Sequence, residues 1–289
     1  MRVTQSLLGK GLFGRSFDEL RRRSNIAYKL EAVKGPLGPR PLYDFTTPDA
    51  VSSCILMSDD LIGGFSVSKF EHVNTGAATA TDTTTTPPSS SSSSSQSTTT
   101  TTTTTEPTSY ARFHGSISTD LPEDKPSIKR TGYAAFRTPV QAATLFGRSV
   151  WDIDPYTYLA LRVKSDGRAY FINVQTEGVE PTDLHQRRLF AKRPGRWETV
   201  LVRWNDFVRT SYGFVMEPQT EMLRQKVQTV GVGLTDRVEG PFELCIERVW
   251  ATNTVEEGQT VIEGEDADLA DLGGDEGQLK NKKGERIQW

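Results

Sequence analysis

Tyr158-Leu159-Ala160-Leu161-Arg162-Val163-Lys164-Ser165-Asp166-Gly167-Arg168-Ala169-Tyr170-Phe171-Ile172-Asn173-Val174-Gln175 is the stretch that decides the fold class. Leu159, Leu161 and Val163 share one face of an extended chain, while Ala160, Arg162 and Lys164 share the other. Asp166-Gly167 then supplies the positive φ of a tight type I′ turn, so the stretch reads as a β-hairpin with one buried face. Beyond the turn, residues 169–174 carry bulk on both faces, the pattern of a central strand with something packed on each side.

Working outward, further strand patterns fall at 65–73, 110–117, 133–140, 187–192, 197–204, 227–235 and 242–251. Gly/Pro punctuation such as Arg193-Pro194-Gly195-Arg196 and Glu239-Gly240-Pro241 separates them, and beyond the opening stretch helical periodicity is scarce except for a turn or two near 217–226. No βαβ period of about thirty residues occurs, which disfavours a parallel doubly wound sheet. The expected class is all-β, a jelly-roll β-sandwich.

Residues 77–108 are nearly all Thr, Ser and Pro, with unbroken runs at Ser89 to Ser95 and Thr98 to Thr105. So little apolar surface cannot offset chain entropy, and the tract is expected to be a disordered Ser/Thr loop. Strand patterns flank it on both sides, so it reads as an overgrown hairpin loop inside one domain, which closure entropy tolerates because it grows only logarithmically. An O-glycosylated, mucin-like stalk is the rival reading. The expected organisation is a basic N-terminal segment with a helix at 1–41, the sandwich at 42–253 interrupted at 77–108, and a disordered acidic tail at 254–289.

The first thirty residues carry Arg2, Lys10, Arg15, Arg21, Arg22, Arg23 and Lys29 against Asp18 and Glu19. That basic opening lacks the apolar core of a secretory signal and is compatible with a mitochondrial-type presequence. Ser16-Phe17-Asp18-Glu19 reads as a capping box opening a helix to about Val33. Arg21, Arg22 and Arg23 on that helix are candidate contacts for an anionic lipid surface or an acidic partner, the alternative being a solvated face.

The 289 residues, 35% hydrophobic and with net charge -3, can bury one large core, and their charge creates no basic field to attract nucleic acid. No apolar run approaches the roughly 18 residues of a membrane-spanning helix, so any membrane contact is peripheral. Cys54 and Cys245 both lie in apolar surroundings and read as inert buried thiols of a reducing compartment.

His72, His114 and His185 have no second ligand at metal-binding spacing, and no nucleophile elbow, phosphate loop or dinucleotide fingerprint is present. The expectation is a non-enzyme with no catalytic residue, metal or cofactor. Asp59-Asp60 beside Gly63-Gly64 is the densest constellation; it reads either as a cation or partner site or as a turn whose aspartates cap amides. Trp151, Tyr156, Tyr158, Tyr170, Trp197 and Trp204 read as core, with a sugar-stacking platform as the alternative. Arg187, Arg188 and Arg193, with Arg168 and Arg196, read as one basic edge facing an acidic subunit or lipid headgroups, or else a solvated rim.

Taken in order, Ser58-Asp59-Asp60-Leu61-Ile62-Gly63-Gly64-Phe65-Ser66, Gly132-Tyr133-Ala134-Ala135-Phe136-Arg137, Asp166-Gly167-Arg168-Ala169-Tyr170, Trp197-Glu198-Thr199-Val200 with Trp204-Asn205-Asp206-Phe207, and Val230-Gly231-Val232-Gly233-Leu234-Thr235-Asp236 resemble the complex I intermediate-associated proteins over most of 42–253. The resemblance implies a galactose-binding-like jelly roll. It further implies a chaperone role without catalysis, in assembling the membrane arm of mitochondrial complex I, with membrane-arm subunits and other assembly factors as partners, at the matrix side of the inner membrane. A carbohydrate- or small-ligand-binding module of the same fold is the alternative function.

Overall fold

A computed structural model describes residues 11–28, 38–75, 106–128, 130–178, 180, 182–255 and 259–262. Most of the Ser/Thr tract and nearly all of the acidic tail lie outside the described residues. In chain order the strands are β1 (Arg40–Asp44), β2 (Ile55–Ser58), β3 (Val67–Asn74), β4 (Ser109–Ile117), β5 (Ala134–Arg137), β6 (Ala143–Thr144), β7 (Gly147–Arg148) and β8 (Tyr158–Ser165). They continue with β9 (Tyr170–Thr176), β10 (Asp183–Arg188), β11 (Trp197–Arg203), β12 (Val208–Ser211), β13 (Phe214–Val215), β14 (Val227–Leu234), β15 (Gly240–Thr252) and β16 (Thr260–Ile262). Helix α1 (Leu12–Tyr28) precedes them and α2 (Pro48–Ser53) follows β1.

Two seven-stranded sheets form a β-sandwich. One runs β16-β11-β8-β15-β4-β3, with β1 prolonging the β4 edge of the long β15; the other runs β13-β12-β10-β9-β14-β5-β2. Pairing is antiparallel throughout except for β11 with β16. The inner faces interdigitate around a phenylalanine cluster in which Phe70 stacks on Phe136 at 4.3 Å, while Phe113 meets Phe136 at 5.1 Å and Phe242 at 4.9 Å. Burying a ring of this size stabilises the fold by about 2–3 kcal/mol.

The opening stretch forms two strands as expected, yet they are not a hairpin. β8 lies between β11 and β15 in the first sheet, and β9 lies between β10 and β14 in the second. The 166–168 turn is therefore a corner that carries the chain from one layer to the other. Gly167 does take a positive φ, of 94°. Asp166 N–H, however, donates to Glu243 of β15, and Arg168 is held by both oxygens of Asp236 at 2.8 and 3.1 Å. Alternation with a central Asp-Gly fits a hairpin and a corner equally well, because each strand buries one face either way.

Two further expectations shift. Helix α1 starts at Leu12, so Ser16 is interior; its hydroxyl donates to Leu12 O at 2.7 Å and accepts from the Leu145 N–H at 2.9 Å, which replaces the cap. The 187–192 strand begins earlier, at Asp183. The strands flanking the Ser/Thr tract pair antiparallel as far as Asn74 opposite Ser109, and Thr75 N–H reaches Thr108 O at 2.8 Å.

Candidate functional site

The 58–67 segment joins β2, an edge of the second sheet, to β3, an edge of the first, so both sheet edges meet there. A short 3-10 turn over Asp59–Ile62 is closed by Gly63 at φ 105°, with Gly63 N–H donating to Asp60 O and Gly64 N–H to Asp59 O. Asp59 is wholly buried. Its carboxylate accepts from Ser66 N–H at 3.0 Å, from the Ser66 hydroxyl at 2.8 Å and from Gly132 N–H at 2.5 Å. Its own N–H donates to Tyr133 O. These donors replace the water that the carboxylate loses on burial, and they tie the turn to the start of β3 and the entry to β5. The closeness of Gly64 is essential, since a Cβ there would lie 2.5 Å from the Asp59 Cγ.

Asp59 is thus a clamp. Of the two expected readings its geometry is that of the amide-capping turn, and a carboxylate shut away from solvent offers nothing to a partner. What the clamp presents is apolar: Leu61 is 73% exposed, Phe65 57% and Val67 58%. Asp60 is exposed on the same turn. Among the described residues β2 pairs only with β5, and β3 only with β4, so this apolar patch lies between two open strand edges. Exposed apolar clusters and unpaired edges are the two surface features that other proteins most readily cover.

The arginines do not make one edge. Arg187 stands opposite Ile172 and Arg188 opposite Phe171, so alternation points Arg187 to the inner face beside buried His185 and Arg188 to the outer face. The Nε and Nη2 of Arg187 and the Nε of Arg188 are buried, whereas Arg193 is exposed on the following turn. Burial, followed by the nearby Arg209 charge, lowers the His185 pKa. Arg168 is bound to Asp236 and to the carbonyls of Gly240 and Pro241. On α1, Arg21 is exposed and Arg23 pairs with Glu19 at 3.0 Å; the Arg22 side chain lies outside the described set.

Trp151, Tyr156, Tyr170, Trp197 and Trp204 are buried and Tyr158 is half-buried, so the five buried rings cannot offer a stacking platform to a sugar. A shallow pocket of about 250 Å³, lined by Gly167, Arg168, Arg188 and Phe190, is smaller than usual for a small-molecule site. Both cysteines are free; burial pushes the Cys245 thiol up to about 12 and the Cys54 thiol up to about 11, so neither is a ready nucleophile. Among the described residues no cluster of three His, Cys, Asp or Glu could hold a metal, and no helix is long and apolar enough to cross a membrane.

Leu61, Phe65 and Val67 are the residues that sequence reading passed over. Their signal was present, since large apolar side chains stand in a Gly-Gly turn where polar ones are usual.

A family model described as Complex I intermediate-associated protein 30 matches residues 43–246. The Neurospora crassa protein named Complex I intermediate-associated protein 30, mitochondrial, is 50% identical over 288 residues, covering 100% of this chain and 97% of that one. The Drosophila melanogaster protein of the same name is 30% identical over 142 residues, 47% of this chain and 48% of its own. Among solved structures, a family 11 carbohydrate-binding module of a Clostridium thermocellum cellulase superposes with TM-score 0.47 at 11% identity, covering 77% of this chain and 98% of that one.

Proposed function

The chain belongs to the complex I intermediate-associated protein 30 family, and from that premise we propose that it is an assembly factor for mitochondrial complex I that works by binding, without catalysis. The observation that carries the reading is the 58–67 loop: a buried carboxylate fixes a turn whose outward side chains are apolar, in a position where polar residues would serve a merely solvated loop. A surface pre-shaped in this way loses little entropy when a partner covers it. The partner is an incomplete membrane-arm subunit or intermediate whose own apolar surface awaits its neighbours, engaged at the matrix side of the inner membrane. Residues 42–253 act as one unit, with the Ser/Thr tract inserted between two paired strands, a reading supported by the pairing of Asn74 with Ser109.

Deleting the gene tests this directly. Native electrophoresis of mitochondrial membranes should show mature complex I lost and a partly built form accumulating, and unchanged complex I would refute the proposal. Affinity purification of the tagged protein followed by mass spectrometry would then name the bound subunits.

A further inference from the structure

Helix α1 carries its amphipathicity the wrong way round. Ser16 and Glu19, at 4% and 3% exposure, are buried, while Phe13 at 77%, Phe17 at 68% and Leu20 at 45% face solvent. Spaced at i, i+4 and i+7, these three form one stripe along the helix. The helix is seated on the tip between β6 and β7. Ser16 receives the Leu145 N–H, and Arg23 donates to Phe146 O at 2.6 Å with its guanidinium 5.6 Å from the Phe146 ring centroid. That tip adds two more exposed apolar side chains, Leu145 at 62% and Phe146 at 41%.

Charge separates this patch from the 58–67 loop. Helix α1 carries Arg15, Arg21, Arg22 and Arg23 against Asp18 and Glu19, in a chain whose net charge is -3. Exposed Arg21 follows Phe17 by one turn. An apolar stripe edged by arginine is the composition of a helix that lies in a membrane interface, its rings among the acyl chains and its guanidinium groups at anionic headgroups. A groove-shaped partner is not what the surface fits, because a helix and a turn tip together make a convexity.

We propose that α1 and the 145–146 tip form a docking surface for an anionic lipid bilayer. This deepens the assembly-factor reading by naming what holds the protein at the membrane where its partner is built, and it uses a different surface from the loop. Because the two Phe side chains are solvent-exposed, substituting them leaves the fold intact, so binding and folding can be read separately.

The test is flotation of the full-length protein with vesicles of phosphatidylcholine alone or containing about 30 % phosphatidylglycerol. The protein should float with the anionic vesicles and not with the neutral ones, and less so as salt is raised. Phe13→Glu with Phe17→Glu should reduce flotation about tenfold or more, and Arg21→Gln about fivefold, with melting curves unchanged. Leu61→Asp with Phe65→Asp should float like wild type, which keeps this proposal and the assembly reading separable. Absence of flotation by folded wild type, or full flotation of the double Phe variant, would overturn it. So would a mature mitochondrial form that begins beyond Leu20, since the stripe would then be removed.

Discussion

Two of the exposed apolar surfaces among the described residues are held in opposite ways. At 58–67 the backbone is fixed by a buried carboxylate with three donors, joined to elements of both sheets. At α1 the helix rests on a two-strand tip through the Ser16 hydroxyl, which accepts from the Leu145 N–H, and through Arg23, which donates to Phe146 O and lies over its ring. A protein partner has a surface of fixed shape, so the side that meets it gains from being fixed beforehand. A bilayer is fluid and asks only for a stripe and the right charge. The strength of each anchor is matched to the rigidity of what it is expected to meet.

The comparison breaks first at the clamp. Asp59→Ala leaves the Gly132 and Ser66 donors buried without their acceptor, and the urea midpoint should fall by an amount corresponding to about 3–4 kcal/mol. Gly64→Ala forces a methyl against the Asp59 carboxylate and should cost about 2 kcal/mol in the same titration. Ser16→Ala should cost about 1 kcal/mol or less in global stability. Its larger effect should be faster proteolysis within 12–28, because it frees an end-docked helix rather than the sandwich. Equal losses for Asp59→Ala and Ser16→Ala would erase the distinction between the anchors. The smallest changes belong to the exposed rings: Phe13→Glu with Phe17→Glu, and Leu61→Asp with Phe65→Asp, should each leave the urea midpoint within about 0.5 kcal/mol of wild type.

Most strands were legible because each buries one face and the period of two survives in sequence. Layer assignment was not legible. Leu159 to Val163 and Tyr170 to Val174 alternate identically whether the Asp166-Gly167 turn pairs them or sends them to opposite sheets; long-range pairing decides it, β8 with β11 and β15, β9 with β10 and β14, with the corner tied by Asp166 to Glu243 and Arg168 to Asp236. The same ties absorb Arg168, and strand phase turns Arg187 to the inner face, so a basic edge that looks continuous in sequence loses Arg187 in space. At 58–67 the sequence leaves the role of Asp59 open between ligand and turn clamp. Charged residues drew attention to Asp59, yet a carboxylate beside two glycines can be either a ligand or a clamp, and burial, which local sequence does not encode, settles which. Ser16 illustrates the same limit: its spacing to Glu19 has the form of a cap, but the helix already runs from Leu12, and the Ser16 hydroxyl bonds Leu12 O and the Leu145 N–H instead.

The central claim is that the clamped apolar loop is the surface that engages the assembly intermediate. The most direct measurement is native electrophoresis of mitochondrial membranes from cells whose own gene is deleted and which express the Leu61→Asp, Phe65→Asp protein, probed for that protein and for complex I. The folded, normally abundant variant should no longer migrate with the intermediate, and complex I should fall toward the deletion level. Wild-type comigration together with normal complex I would contradict it.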